Sequence, residues 1–215
     1  MTRDAIFARL RMARQIDSSA NVSSPAHTIP SRARVSGEAA VSGFVKRLEA
    51  QGVCVETLRS TDDVPSAIFR YLSAARLPCR VRMGDDPILA ALPWTEQSGL
   101  SQLSGAAHSD DMAAISVAVA GISETGTVVL ASGPANPGTL AFLPDVHFVL
   151  MPLPQIVGSM EDAFAVIKEY NGNRGWPRTI NFISGASRTG DIGGQLVMGA
   201  HGPRQLVVLL VADPL

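Results

Sequence analysis

Apolar positions along the chain alternate between a helical period and short unbroken runs. Ile6, Phe7, Leu10 and Ala13 fall on one side of a short helix near the N-terminus. From Ile16 to Ser36 the period disappears in a stretch rich in Ser, Pro and Arg, which reads as a loop or extended arm. A helix on such an arm can pack on a partner chain rather than on its own core. Val41, Phe44, Val45 and Leu48 then follow the i, i+3, i+4, i+7 rule of an amphipathic helix. Gly52 ends it, and Val53-Cys54-Val55 opens a strand. A second helix is predicted from Thr61-Asp62-Asp63, whose acids suit a helix N-terminus, with Ile68, Tyr71, Leu72 and Ala75 on its buried stripe. Pro78 stops that helix before the strand Cys79-Arg80-Val81-Arg82-Met83.

The middle and end of the chain are richer in strand. Ile115 to Ile122 and Thr127 to Ala131 are apolar runs separated by Ser123-Glu124-Thr125-Gly126, and Val146 to Met151 suits a central strand. Ser159-Met160-Glu161-Asp162 has the pattern of a capping box, opening a helix with Met160, Ala163, Phe164 and Ile167 inward. Ile180 to Ser184 and Leu206 to Val211 supply the last strands. This rhythm predicts an α/β fold: one open, mostly parallel sheet with helices on both faces. Residues 1–36 would form a helix and extended arm, and residues 37–215 the α/β domain.

Composition narrows the function classes. With 215 residues and 46% hydrophobic content, the chain can bury a core without disulfides or metal. A formal net charge of −1 and 17% charged residues argue against a nucleic-acid binder. The balance is uneven: residues 1–82 carry 13 Lys/Arg and 7 Asp/Glu, whereas residues 83–215 carry 5 and 12. The basic half is either a solvated surface or a docking face for an acidic partner. The apolar runs are far shorter than the roughly 18 residues of a membrane helix, and the charged start, Met1-Thr2-Arg3-Asp4, lacks the apolar stretch of an export signal. A cytoplasmic protein without a membrane span is expected. Cys54 and Cys79 are the only cysteines, too few for an iron–sulfur cluster or a structural zinc site built on cysteine, and read as two buried reduced thiols. The four histidines form no close pair, so no metal is expected.

The chain has no G-x-G-x-x-G fingerprint, no phosphate-binding G-x-x-x-x-G-K-[ST] and no H-E-x-x-H. Gly121-Ile122-Ser123-Glu124-Thr125 fails the nucleophile-elbow pattern at its last position. Three polar, glycine-containing segments remain. In Ser123-Glu124-Thr125-Gly126-Thr127, a carboxylate lies between apolar strands beside a glycine that admits close approach, so Glu124 is a candidate base, nucleophile or ligand anchor, or else a solvated turn residue. Ser184 to Gly194 follows a strand and reads as leading into a helix or half-turn. Its backbone N–H groups, hydroxyls and Arg188 suit a carboxylate or phosphate, unless an Arg188–Asp191 pair merely pins a turn. His201, between Ala200 and Gly202, is a proton donor, a metal ligand or a turn residue, while His147 reads as a hydrogen-bonded core histidine.

Four blocks, Ile122-Ser123-Glu124-Thr125-Gly126-Thr127, Leu143-Pro144-Asp145-Val146-His147, Ile183 to Thr189 with Asp191-Ile192, and Gly199-Ala200-His201-Gly202-Pro203, resemble in order and spacing those of the LUD-domain family in its short, lactate utilisation protein C (LutC)-like form. The resemblance covers about residues 40 to 212. It implies a NagB/RpiA/CoA-transferase-like open sheet and a part in oxidising L-lactate to pyruvate beside LutA-like and LutB-like iron–sulfur subunits. The clusters would belong to those partners, with no cofactor in this chain; whether this chain itself catalyses a step is left open. Relatives tend to have an acid where this chain has Gly193, and an arginine in the loop corresponding to Ser132–Gly138.

On this reading the chain binds a small carboxylate or a partner surface, with Thr125, Gly126, Thr127, Ser184, Gly185, Ser187, Arg188, Thr189, Asp191, His201 and Gly202 as the ligand-binding residues. Glu124 and Arg188 line the pocket, Asp191 orients Arg188 and His201 closes it. Two other classes stay open. One is a stand-alone small-acid transferase or ligase using Glu124, because Ser123-Glu124-Thr125-Gly126 is similar to the glutamate turn of class I CoA-transferases. The other is a regulatory or scaffolding module that docks through its basic arm.

Overall fold

Seven consecutive apolar or half-polar residues, Val146–Pro152, form the strand at the heart of the molecule, and all seven are buried. The computed structural model describes residues 2–14, 29–190 and 194–212. Within them the elements run α1 (Arg3–Arg14), α2 (Gly37–Ala50), β1 (Cys54–Leu58), α3 (Val64–Ala74), β2 (Arg80–Met83) and α4 (Pro87–Ala90). Next come β3 (Ser101–Ser104), β4 (Ala113–Val117), β5 (Ala120–Ile122), β6 (Thr127–Ala131), β7 (Val146–Pro152) and β8 (Ile156–Val157). The chain closes with α5 (Met160–Asn171), β9 (Ile180–Ile183), β10 (Arg188–Thr189), β11 (Val197–Met198) and β12 (Gln205–Val211).

A six-stranded parallel sheet runs β1-β12-β7-β4-β2-β3. The strand period of two sends alternate residues of β7 to opposite faces. Phe148 and Leu150 join Ile68 and Leu72 of α3, whereas Val149 and Met151 join Phe44 and Leu48 of α2. Helices therefore cover both faces, which is why β7 and β12 read as nearly continuous apolar runs. Among the described residues no helix is long and apolar enough to cross a membrane.

The expectation of a single sheet is corrected. The apolar run Ile115 to Ile122 divides after Val117: Ala118 N–H still bonds Leu150 of the parallel sheet, but Val119 N–H bonds Val129. There the chain enters a second sheet, β8-β5-β6-β9, in which β5 and β6 form an antiparallel hairpin. Both faces of this run are buried, so its apolar pattern carries no mark of the handover.

Helix α5 packs on the second sheet through Ala163 and Ile167, against Val119, Ile122 and Val129. Its capping box is formed: Ser159 Oγ accepts from the Asp162 N–H at 3.1 Å, and the Asp162 carboxylate accepts from the Ser159 N–H at 3.2 Å. Ser159→Ala is expected to lower stability by about 1 kcal/mol, measurable by urea unfolding against the parent. Met160 and Phe164, expected to point inward, are exposed, because the stripe of α5 buried against the sheet is the one carrying Ala163 and Ile167. The cysteines are free, but Cys54 is exposed rather than buried, since β1 is the edge strand of its sheet.

Candidate functional site

Gly126 sets the geometry of the β5–β6 turn. Its N–H bonds Ile122 O at 3.0 Å, and its φ of +63° is one that residues with a side chain rarely adopt. A Cβ there would lie 2.6 Å from Arg47 Cβ and 3.0 Å from Leu48 N, so the turn lies directly against the backbone of α2. On its other flank, Ser123 N–H and Glu124 N–H bond Val157 O and Gly158 O, at 2.8 and 3.0 Å, continuing the pairing with β8. The Gln51 amide, at the end of α2, donates to Thr125 O at 3.1 Å.

Hydroxyls carry the connection onward. Thr125 Oγ1 and Thr127 Oγ1 are 2.7 Å apart, and Thr127 Oγ1 and Ser184 Oγ 2.6 Å apart, linking the turn to the end of β9. Beyond Ser184 the chain bends back so that Arg188 donates to the Gln51 carbonyl. The guanidinium lies over Gly52, whose missing side chain makes room: a Cβ there would stand 2.9 Å from Arg188 Nη2. Arg188 thereby satisfies a carbonyl at the negative end of α2. Gln51, Ser184, Gly185, Ala186 and Arg188 line an open cavity of about 300 Å3.

The loop beyond is pinned through Ser187. Its N–H donates to Pro203 O at 2.8 Å, its carbonyl accepts from Gly199 N–H at 2.9 Å, and its Oγ accepts from His201 N–H at 3.3 Å. Gly202 packs on Ser187, and Gln205 N–H bonds Asp145 O. Thr189 is buried on β10, opposite Val197. The segment after Ser184 therefore leads into the β10–β11 hairpin and not into the expected helix or half-turn, because Arg188 and Thr189 pair with Met198 and Val197.

Thr125, Gly126, Thr127, Ser184, Gly185 and Arg188 thus converge around Gln51, with Ser187, Thr189 and Gly202 bracing the loop behind them. Two residues expected in the same cleft stand outside its described lining. Glu124, with 11% of its side chain exposed, forms an ion pair with Arg32 at 2.9 Å. Arg32 belongs to the segment at residues 29–36, which crosses Gly158 so closely that a Cβ there would meet Ala33 O at 2.1 Å. His201 is exposed and meets the loop through its backbone, and neither residue is among the described groups lining the cavity. Asp191, assigned to orient Arg188, lies outside the described residues. Gln51 and Arg32 were not singled out from the sequence. Gln51 had no motif, its one clue being its place just before a helix-ending glycine.

A second polar group is closed to solvent. His147, fully buried on β7, places Nε2 3.0 Å from Ser116 Oγ. Ser116 donates its only proton to Asn136 Oδ1 at 2.7 Å, and Asn136 donates to Ala131 O at 3.2 Å. His147 is therefore the Nε2–H tautomer, with Nδ1 a bare acceptor that has no partner among the described residues. Burial pushes its pKa down to about 4. It is a core histidine that ties β4 and β7 to the loop before Gly138. Among the described residues no group of three or more His, Cys, Asp or Glu could hold a metal ion.

The fold and this cavity define an open-sheet α/β protein whose polar turns gather at the end of α2. Residues 105–211, just under half of the chain, match the LUD domain. It is 37% identical over 92 residues to lactate utilization protein C of Anoxybacillus flavithermus, which is 43% of this chain and 40% of that one. With the protein of the same name from Geobacillus kaustophilus it shares 39% over 93 residues, 43% of this chain and 39% of that one. An uncharacterized protein of Neisseria meningitidis serogroup B is 41% identical over 99 residues, 46% of this chain and 42% of that one. The matched stretch thus spans about two-fifths of the length of these curated relatives. The crystal structure of a DUF162 family protein from Deinococcus radiodurans has the same fold, with a TM-score of 0.61 at 23% identity over 83% of this chain and 99% of that one.

Proposed function

We propose that this chain is a LutC-like component of L-lactate utilisation, working beside iron–sulfur partner subunits in the oxidation of L-lactate to pyruvate. Its own part is to hold a small carboxylate in the cavity between Gln51 and Arg188. The relatives called lactate utilization protein C support the pathway. The observation that carries the binding role is the cavity itself: a guanidinium, a serine hydroxyl and a glycine backbone line one space of about 300 Å3. A guanidinium has five N–H donors, so the bond from Arg188 to Gln51 leaves others for a carboxylate, and Ser184 adds a hydroxyl at the same wall. Glu124 would not repel the anion, because Arg32 neutralises it.

Calorimetric titration with L-lactate and with pyruvate tests this reading. The parent should bind one of them, and Arg188→Ala should weaken that binding by about 1.5–3 kcal/mol, the worth of a charged hydrogen bond. Arg188→Lys, which keeps the charge but loses the planar fork, should fall between the two. Unchanged affinity in Arg188→Ala would refute the cavity as the site. Co-purification from the native cell addresses the partners: iron–sulfur proteins in stoichiometric amount support the assignment, and a chain that purifies alone opposes it.

A further inference from the structure

A larger cavity than the one at Arg188, about 690 Å3 against about 300 Å3, lies beside α5. It is an open apolar groove lined by Met160, Glu161, Phe164 and Trp176, beside β9 at the edge of the second sheet. Phe164 stacks edge-on against Trp176 with ring centroids 6.2 Å apart, and Phe182 closes the row at 5.7 Å from Phe164. Trp176 remains 60% exposed. A contiguous aromatic surface of this kind marks an interaction site rather than an ordinary exterior.

The same chain carries a matching surface. Helix α1 presents Ile6, Phe7 and Leu10 along one face, and all three are exposed. The spacing Phe7 to Leu10 and Ile6 to Leu10 is the three-and-four step by which a helix anchors in a groove. Their charges are opposite. Helix α1 contains four arginines and one aspartate, whereas α5 carries Glu161, Asp162 and Glu169 against Lys168. Such complementarity orients a docking helix and disfavours wrong partners.

We infer that the α5 groove is a dimer site, filled by α1 of a second copy of this chain. One short helix in one groove buries little, while stable interfaces bury about 1,200–2,000 Å2 in total. Reciprocal exchange of arms forms two such seats and closes a twofold assembly, leaving neither helix nor groove uncovered. This inference is independent of the carboxylate site, which shares no lining residue with the groove, and it stands or falls on oligomeric state alone.

Analytical ultracentrifugation of the full chain tests it. The parent should sediment as a dimer, and added salt should weaken the association. Phe7→Glu, Leu10→Glu and Trp176→Glu each lie at exposed positions, so their folded state should be kept, as far-UV circular dichroism would show. Each should weaken self-association about 30-fold. The decisive arm is the double variant Phe7→Glu/Trp176→Glu. If α1 sits in the groove, the second substitution strikes a seat already opened, so the double variant should self-associate more tightly than the product of the two single losses, and full additivity overturns the contact. A parent that is monomeric at every concentration overturns the inference, as does a dimer indifferent to all three substitutions. A monomer in which Phe7→Glu increases quenching of Trp176 would show the groove filled by its own arm, and would equally overturn it.

Discussion

Gly126→Val is expected to lower the unfolding free energy by about 2–5 kcal/mol and to abolish carboxylate binding with it. Two separate effects act at this position. A φ of +63° strains a β-branched residue, and the new Cβ would sit 2.6 Å from Arg47 Cβ and 3.0 Å from two backbone atoms of α2. The helix cannot yield readily, because Phe44 and Leu48 on its other side are fully buried against the parallel sheet. The turn must move instead. That would break the Gln51–Thr125 bond and pull Thr127 away from Ser184, the two links that place the cavity wall. Denaturant unfolding and calorimetry on the same preparation check both halves. A variant within 1 kcal/mol of the parent would show that the turn is not packed as described.

Acid should unfold this protein sooner than its carboxylates alone would predict. His147 has a folded pKa of about 4, against 6.5 for an ordinary histidine. Between those values the unfolded chain binds a proton that the folded chain refuses, so unfolding takes up a proton and stability falls as pH falls. The slope is about 1.4 kcal/mol per pH unit, and the accumulated loss from pH 6.5 down to 4 is about 3 kcal/mol. Above 6.5 the group is neutral in both states and contributes no slope. The physical cause is specific: a second proton would place a charged N–H at Nδ1, fully buried, with no acceptor among the described residues. Urea unfolding across this pH range should show the slope in the parent. His147→Gln, which can still donate to Ser116, should flatten it even if the variant is less stable overall. Equal slopes in the two proteins would assign the acid sensitivity to other groups.

Much of the framework was legible because it depends on local order. The four-residue step from Phe44 to Leu48 marked α2, the Ser159–Asp162 box marked the start of α5, and the unbroken runs at Val146 and Leu206 marked central strands. Each is a pattern that one element imposes on its own residues. The division of the strands into two sheets was not legible, because Ile115 to Ile122, Ser116 apart, is apolar on both faces. Which neighbour a buried strand pairs with depends on residues ten or more positions away, here Leu150 and Val129.

The candidate site shows the same boundary. The polar, glycine-rich turns could be picked out in the chain, since glutamate, arginine and clustered hydroxyls are conspicuous among apolar runs. Their grouping could not. Glu124 faces Arg32 rather than Arg188 because the arm at residues 29–36 crosses Gly158, and no local pattern encodes that crossing. Gln51, the residue on which the cavity is organised, is an ordinary helix-end glutamine until the fold brings Thr125 and Arg188 to it. Element type and apolar stripe follow from short-range backbone and hydrophobic periodicity, which the order of residues carries directly. The choice of which polar groups meet is made by long-range packing, and only the assembled chain contains it.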